Sequence, residues 1–259
     1  MANVNVKTLV DARWNFKGNI KVGNIATWST LPSNRIFFSQ KYGAVKGTCP
    51  PEICKYCARA KEEGKRPPCY VFKSHRYPSV VDGQARNTIS MRNDPEEAFK
   101  QLSDALSRKR IPIVAGRFDQ SGEIENEAQF EGQCRVAKDH PKTPFYVYTK
   151  RTEVVVPALL EGKVPKNLTV LISIWHEQGI EEFLKVAHLP NVKAFVYCDY
   201  NRNPSGWGPE DYAKYGVFVQ TFCKAYDLKG KMNHNITCEL CKKCFNRSAK
   251  AKVIGCLDH

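Results

Sequence analysis

Residues 168–175 read LTVLISIW, an apolar run with almost no alternation of polar and apolar positions. A strand with one wet face alternates with period two, so an unbroken run of this length implies a strand covered on both faces, as in a parallel sheet. Comparable runs flank it at 111–118 (IPIVAGRF), 145–149 (FYVYT), 192–198 (VKAFVYC) and 215–223 (YGVFVQTFC). Each is rich in Val, Ile, Phe and Tyr and bounded by Gly, Pro, Asn or charge. Helix-forming segments lie between them at 124–139 and 180–188. Upstream, 77–91 reads as a helix, and Asp94-Pro95-Glu96-Glu97 opens another, with Asp94 as N-cap, Pro95 at the first helical position and Phe99, Leu102 and Leu106 on one face. With 35–39 (RIFFS) read as a buried first strand, the pattern gives six βα units. The expected fold class is α/β: a six-stranded parallel βα sheet, open or curled into a partial barrel. Residues 1–34 read as an N-terminal extension of hairpin or loop, 35–223 as the βα domain, and 224–259 as a cysteine-rich metal-binding tail.

Function in such a fold gathers at the carboxyl ends of the strands. The segments expected there are 119–123 (DQSGE), 149–151 (TKR), 175–177 (WHE) and 199–202 (DYNR). The first strand leads into 49–70, CPPEICKYCARAKEEGKRPPCY, with Cys49, Cys54, Cys57 and Cys69 at spacings C-x4-C-x2-C-x11-C. The tail adds Cys238, Cys241 and Cys244 as C-x2-C-x2-C, then Cys256. Eleven cysteines bunched at two places in a chain without a secretory apolar segment point to metal ligation more than to disulfides. The triplet is how ferredoxin-type loops present thiolates to a [4Fe-4S] cluster; zinc held by two C-x2-C pairs is the competing reading.

The formal charge of +14 favours anionic partners, nucleic acid or a nucleotide among them, and aromatics such as Tyr56, Tyr70, Phe72 and Tyr77 interleave with the basic residues near the cysteine loop. A solvated basic surface over core aromatics gives the same pattern. No apolar run approaches the roughly 18 residues of a membrane span, so the expectation is a soluble cytoplasmic protein.

Two resemblances add to this reading. Residues 18–33 (GNIKVGNIATWSTLPS), Cys69-Tyr70 with 74–87 (SHRYPSVVDGQARN), Arg117 through Gly122-Glu123, Tyr148-Thr149-Lys150, and the cysteine triplet with a final His259 match, in order, blocks of the phage gene product eighty-eight family. That resemblance implies a phage-encoded protein, working in the host cytoplasm, and makes Cys69 a candidate ligand. The loop also resembles the radical S-adenosylmethionine enzymes, with Tyr56 before Cys57 as the aromatic of their cluster motif. Gly122-Glu123 is similar to their Gly-Glu, whose carboxylate receives the methionine amino group, and Ser173 is similar to the serine that contacts ribose or carboxylate. Their spacing is C-x3-C-x2-C, so here three ligands are drawn from Cys49, Cys54, Cys57 and Cys69.

This second resemblance implies an open [4Fe-4S] cluster, S-adenosyl-L-methionine chelated to it, and an electron donor such as flavodoxin or ferredoxin. Reductive cleavage of the sulfonium would give a radical that modifies an anionic substrate received by Lys150, Arg151 and Arg202. A second cluster would sit on Cys238, Cys241, Cys244 and Cys256. The alternative from another class is a non-catalytic nucleic-acid-binding protein with zinc or structural clusters.

Overall fold

The computed structural model describes residues 10–17, 21–54, 74–175, 177–198, 206–225, 233 and 235–257. Among these residues the chain is mixed α/β, built on a parallel sheet of seven strands. In chain order these are β1 (Ala26–Thr27), β4 (Gly116–Phe118), β5 (Phe145–Thr149), β6 (Leu168–Ile174), β7 (Val192–Tyr197), β8 (Thr221–Phe222) and β9 (Val253–Cys256). They lie in the order β1-β4-β5-β6-β7-β9-β8, so each successive unit up to β7 adds at the same edge. The last two exchange places, and β9 sits between β7 and β8.

The connecting helices are α1 (Pro78–Asn93), α2 (Pro95–Ser107), α3 (Glu127–Asp139), α4 (Thr152–Leu160), α5 (Glu177–Val186) and the short α6 (Pro209–Ala213). From α1 to α5, helices that follow one another in the chain pack side by side. Two start where short polar side chains satisfy their first N-H groups: Asp94 accepts from Glu97 N and Asn126 from Gln129 N, each at 2.9 Å. Gly132 lets α3 close on α2, since a Cβ there would stand 2.0 Å from Phe99 Cδ2.

Strand residues divide between two faces, as the pleat requires. One face, with Phe118, Val147, Val170, Ile172 and Val196, packs on the helices through Phe99, Phe130, Val155 and Phe183. The opposite face carries Tyr146, Leu171, Phe195, Tyr197, Ile254 and Cys256, and is covered by Val22 and Ile25 from the N-terminal segment and Phe245 from the tail. The unbroken apolar run of β6 thus reflects two different covers.

Three expectations are corrected. Residues 35–39 do not form the first parallel strand: β2 (Ile36–Ser39) pairs antiparallel with β3 (Gly43–Lys46) in a separate hairpin, with Phe38 81% exposed. Gly43, at φ +71°, belongs to the tight reversal that makes this hairpin, and its inner residues Phe37 and Val45 pack on α1 through Val81 and Ala85. The strand beside β4 is Ala26–Thr27, within the expected extension. The sheet has seven strands rather than six because β9, inside the expected tail, joins it. The expected strand at 215–223 is reduced to Thr221–Phe222.

Candidate functional site

Two groups of cysteines meet the sheet. The first begins where the hairpin returns. Thr48 N-H donates to Leu31 C=O at 2.8 Å and Cys49 N-H to Ser33 C=O at 3.1 Å. Residues 51–54 then form a helical turn in which Cys54 N-H donates to Pro50 C=O at 3.0 Å. Ser33 is buried with φ +67°, and its Oγ lies 3.3 Å from Cys54 Sγ, so one residue fixes both Cys49 and Cys54. Tyr56, Cys57 and Cys69 lie outside the described residues, as do Arg202, His176, His234 and His259.

This turn is tied to the loop after β4. Thr48 Oγ1 accepts from Glu123 N-H at 2.9 Å and contacts Thr30 Oγ1 at 3.0 Å, while Thr30 N-H donates to Ser121 C=O at 3.0 Å. Gly122 takes φ +85°, and a Cβ on it would stand 1.9 Å from Thr30 Oγ1, so no other residue fits. Glu123 is 3% exposed. Its Oε1 accepts from the Thr149 hydroxyl at 2.6 Å and from Ile124 N-H at 3.0 Å, and its Oε2 from Lys150 N-H at 3.1 Å. Three of a carboxylate's roughly four acceptor positions are thereby taken by the protein. Arg151 is likewise committed, its Nη1 donating to Ile124 C=O at 2.8 Å and Glu125 C=O at 3.1 Å, and its Nε to Glu153.

Asp119, buried at the carboxyl end of β4 with φ +45°, has its pKa pushed up to about 8, first by burial and then by the nearby Glu123 carboxylate. Gln129 and Gln133 flank it, with Gln133 Nε2 2.6 Å from Asp119 Oδ2. Among the described residues Gln133 Oε1 has no partner. Turning that amide over would place Oε1 where a protonated Asp119 donates to it, at a separation ordinary for O-H···O.

At the carboxyl ends of β5 and β6 a cleft opens between Pro50, Glu52, Ile53, Lys150, Ser173 and Trp175. Lys150 Nζ lies 4.4 Å from the centre of the Trp175 ring, a cation-π contact that holds the ammonium at the cleft. The structure therefore brings Cys49, Cys54, Gly122, Glu123, Lys150 and Ser173 to one end of the sheet.

The second group lies on the face away from the helices. Thr237 caps α7 (Cys238–Cys241), accepting from Leu240 N-H at 3.3 Å, and Lys242 at φ +55° ends this single turn. Cys238 N-H donates to Lys21 C=O, and Asn24 N-H to Glu239 Oε2, each at 2.9 Å, so the N-terminal segment braces the turn. Lys193 Nζ, on β7, donates to Lys243 C=O at 2.5 Å and Asn246 C=O at 3.0 Å. Phe245 stacks on Tyr146 at 5.3 Å, and Tyr148 OH donates to Cys244 Sγ at 2.8 Å beneath the Arg117 guanidinium, 4.7 Å from the Tyr148 ring. Burial pushes the Cys244 thiol up to about 12, opposed by the Tyr148 hydroxyl and reinforced by Cys223, Cys238 and Cys241. Cys256 is fully buried within β9. Adjacent residues of β5 thus serve the two groups, Tyr148 reaching Cys244 and Thr149 reaching Glu123.

No disulfide joins the nine described cysteines to one another. Among the described residues no group of three or more His, Cys, Asp and Glu side chains is close enough to hold a metal ion. No described helix is long and apolar enough to cross a membrane. Motif reading passed over Ser33 and Thr48, and gave Arg117 and Tyr148, though both lie in the matched family blocks, no part in the site, because hydroxyls and a lone half-buried arginine carry no spacing signal.

The fold and these two groups define a parallel α/β protein with thiols gathered at one sheet end and on one sheet face. Residues 9–252 match the family model described as Gene product 88, and the chain belongs to that phage gene product family. No curated protein and no solved structure matches the chain.

Proposed function

We propose that this chain is an iron-sulfur protein that binds S-adenosylmethionine at the carboxyl end of its sheet and acts reductively on it to modify an anionic substrate. The observation that supports this most is the meeting of the Cys49–Cys54 turn, the Gly122-Glu123 loop and the Lys150, Ser173, Trp175 cleft at one sheet end. Ligands in a parallel sheet bind at that end.

The residues fit a cluster in their chemistry. Cys49 and Cys54 are half-buried and set by one serine, and with Cys57 and Cys69 they would supply the ligands. Such a cluster, reduced, supplies the electron that opens the sulfonium. Glu123 acts here as the brace of the rim: it holds the Thr149 hydroxyl and the Lys150 backbone N-H, and the Lys150 ammonium sits over Trp175, available to a carboxylate or phosphate. Ser173 lines the same cleft and would position a hydroxyl or carboxylate. Trp175 walls the cleft and excludes water.

The test is anaerobic reconstitution with iron and sulfide, reduction with dithionite, and chromatography for 5'-deoxyadenosine after addition of S-adenosylmethionine. The proposal expects the nucleoside in wild type and a large loss in Cys54→Ala. A chain that holds its cluster, binds S-adenosylmethionine and yields no 5'-deoxyadenosine would overturn the catalytic reading. A zinc-loaded colourless chain that retains single-stranded nucleic acid would support the binding-module alternative.

A further inference from the structure

We propose that Cys223, rather than Cys256, closes a four-thiolate site with Cys238, Cys241 and Cys244, built to hold a second iron-sulfur cluster against the face of the sheet away from the helices. This rests on the iron-sulfur reading above and deepens it, since sequence spacing alone assigns the fourth ligand to Cys256.

Cys223 follows β8 directly, and its N-H donates to Gly255 C=O at 2.8 Å. In the β8–β9 ladder Phe222 is paired with Gly255, so Cys223 continues beside Cys256 on one face. Cys223, Cys238 and Cys244 all pack, half-buried, against the same apolar patch of Tyr146, Phe195, Tyr197 and Phe245. The two candidates for the fourth position differ in exposure. Cys256, the last residue of β9, is 1% exposed, its C=O accepting from Cys198 N-H at 2.8 Å. Cys223 stands at a strand end, partly exposed like the three cysteines of the triplet.

Electrostatics agrees with the packing. The thiols that act most strongly on Cys244 are Cys223, Cys238 and Cys241, and those on Cys238 are Cys223 and Cys241. Four irons spread their thiolates over a wider span than one zinc ion at about 2.3 Å per Zn-S bond. A polynuclear group asks for that wider spacing, and among the described residues no three His, Cys, Asp or Glu side chains converge on one ion. Arg117 and Lys21 lie near Cys238, where positive charge offsets a thiolate-rich site.

The experiment compares the full-length chain with Cys223→Ala, Cys256→Ala and Cys241→Ala after anaerobic reconstitution, by iron and sulfide analysis. Two cubanes give about eight irons in wild type. Cys223→Ala and Cys241→Ala are expected to lose half the iron, and Cys256→Ala to keep all of it. Loss in Cys256→Ala with retention in Cys223→Ala would overturn the assignment while leaving a tail cluster standing. Retention in Cys241→Ala would remove the tail cluster altogether, and an iron-free wild type would remove the iron-sulfur reading itself. Alkylation of wild type followed by peptide mass mapping needs no variant to fold: Cys223 is expected to be protected by loading, and equal labelling of loaded and unloaded chain would overturn the proposal.

Discussion

Asp119→Asn is expected to stabilise the protein increasingly as pH rises. Asp119 ionises near pH 3.8 when unfolded, whereas burial beside Glu123 raises its folded value to about 8. Below the lower value both states carry the proton and the residue makes no pH-dependent difference. Between the two, the unfolded chain has released a proton that the folded chain keeps, and folding stability falls by about 1.4 kcal/mol per pH unit. Above the upper value the loss is complete. Asparagine removes the titration while keeping an oxygen for Gln129 and Gln133. Over the two units from pH 5.5 to 7.5, the variant should gain on the order of 3 kcal/mol on wild type. Urea unfolding of both proteins at both pH values measures this, with slopes shared to keep the extrapolation sound. A difference between them that does not change with pH would show that Asp119 is ionised in the fold, and that the Asp119–Gln133 contact is not a donated carboxylic proton.

Three further outcomes follow from the geometry. Gly122→Ala, at φ +85° with Thr30 Oγ1 in the way, should cost about 2 kcal/mol or more; a denaturation midpoint equal to wild type would deny the packing of that loop. Lys150→Ala should weaken S-adenosylmethionine binding by about tenfold, the loss of one charge-assisted contact, and unchanged titration calorimetry would remove Lys150 from the ligand site. Tyr148→Phe deletes the hydroxyl that meets Cys244, so the potential of the tail cluster should become more negative; an unchanged redox titration would place that cluster away from Tyr148.

The parts of the fold legible in the sequence are those where local pattern and global packing agree. FYVYT is β5 from end to end, and LTVLISI is β6, because runs covered on both faces need no help from a partner to be recognised. The Asp94 cap is read directly, since its chemistry lies within four residues. The hairpin at 36–46 misleads because IFFS has strand composition, while its partner and its exposure are decided by a turn and by α1. Ala26–Thr27 and Val253–Cys256 are short, and their places come from neighbours far along the chain. In the site, Glu123 and Lys150 are legible as strand-end residues, and Ser173 through the resemblance alone. What each of them touches is not: Thr149 and Thr48 reach Glu123 from segments 26 and 75 residues away. Cys223 carries no motif spacing, and only the β8–β9 register brings it beside the tail.

The most direct measurement of the central claim is anaerobic metal and sulfide analysis of the reconstituted full chain, taken with its absorption spectrum. A brown protein absorbing near about 400 nm with about eight irons is the predicted result. A colourless chain carrying zinc, or no metal at all, would contradict it.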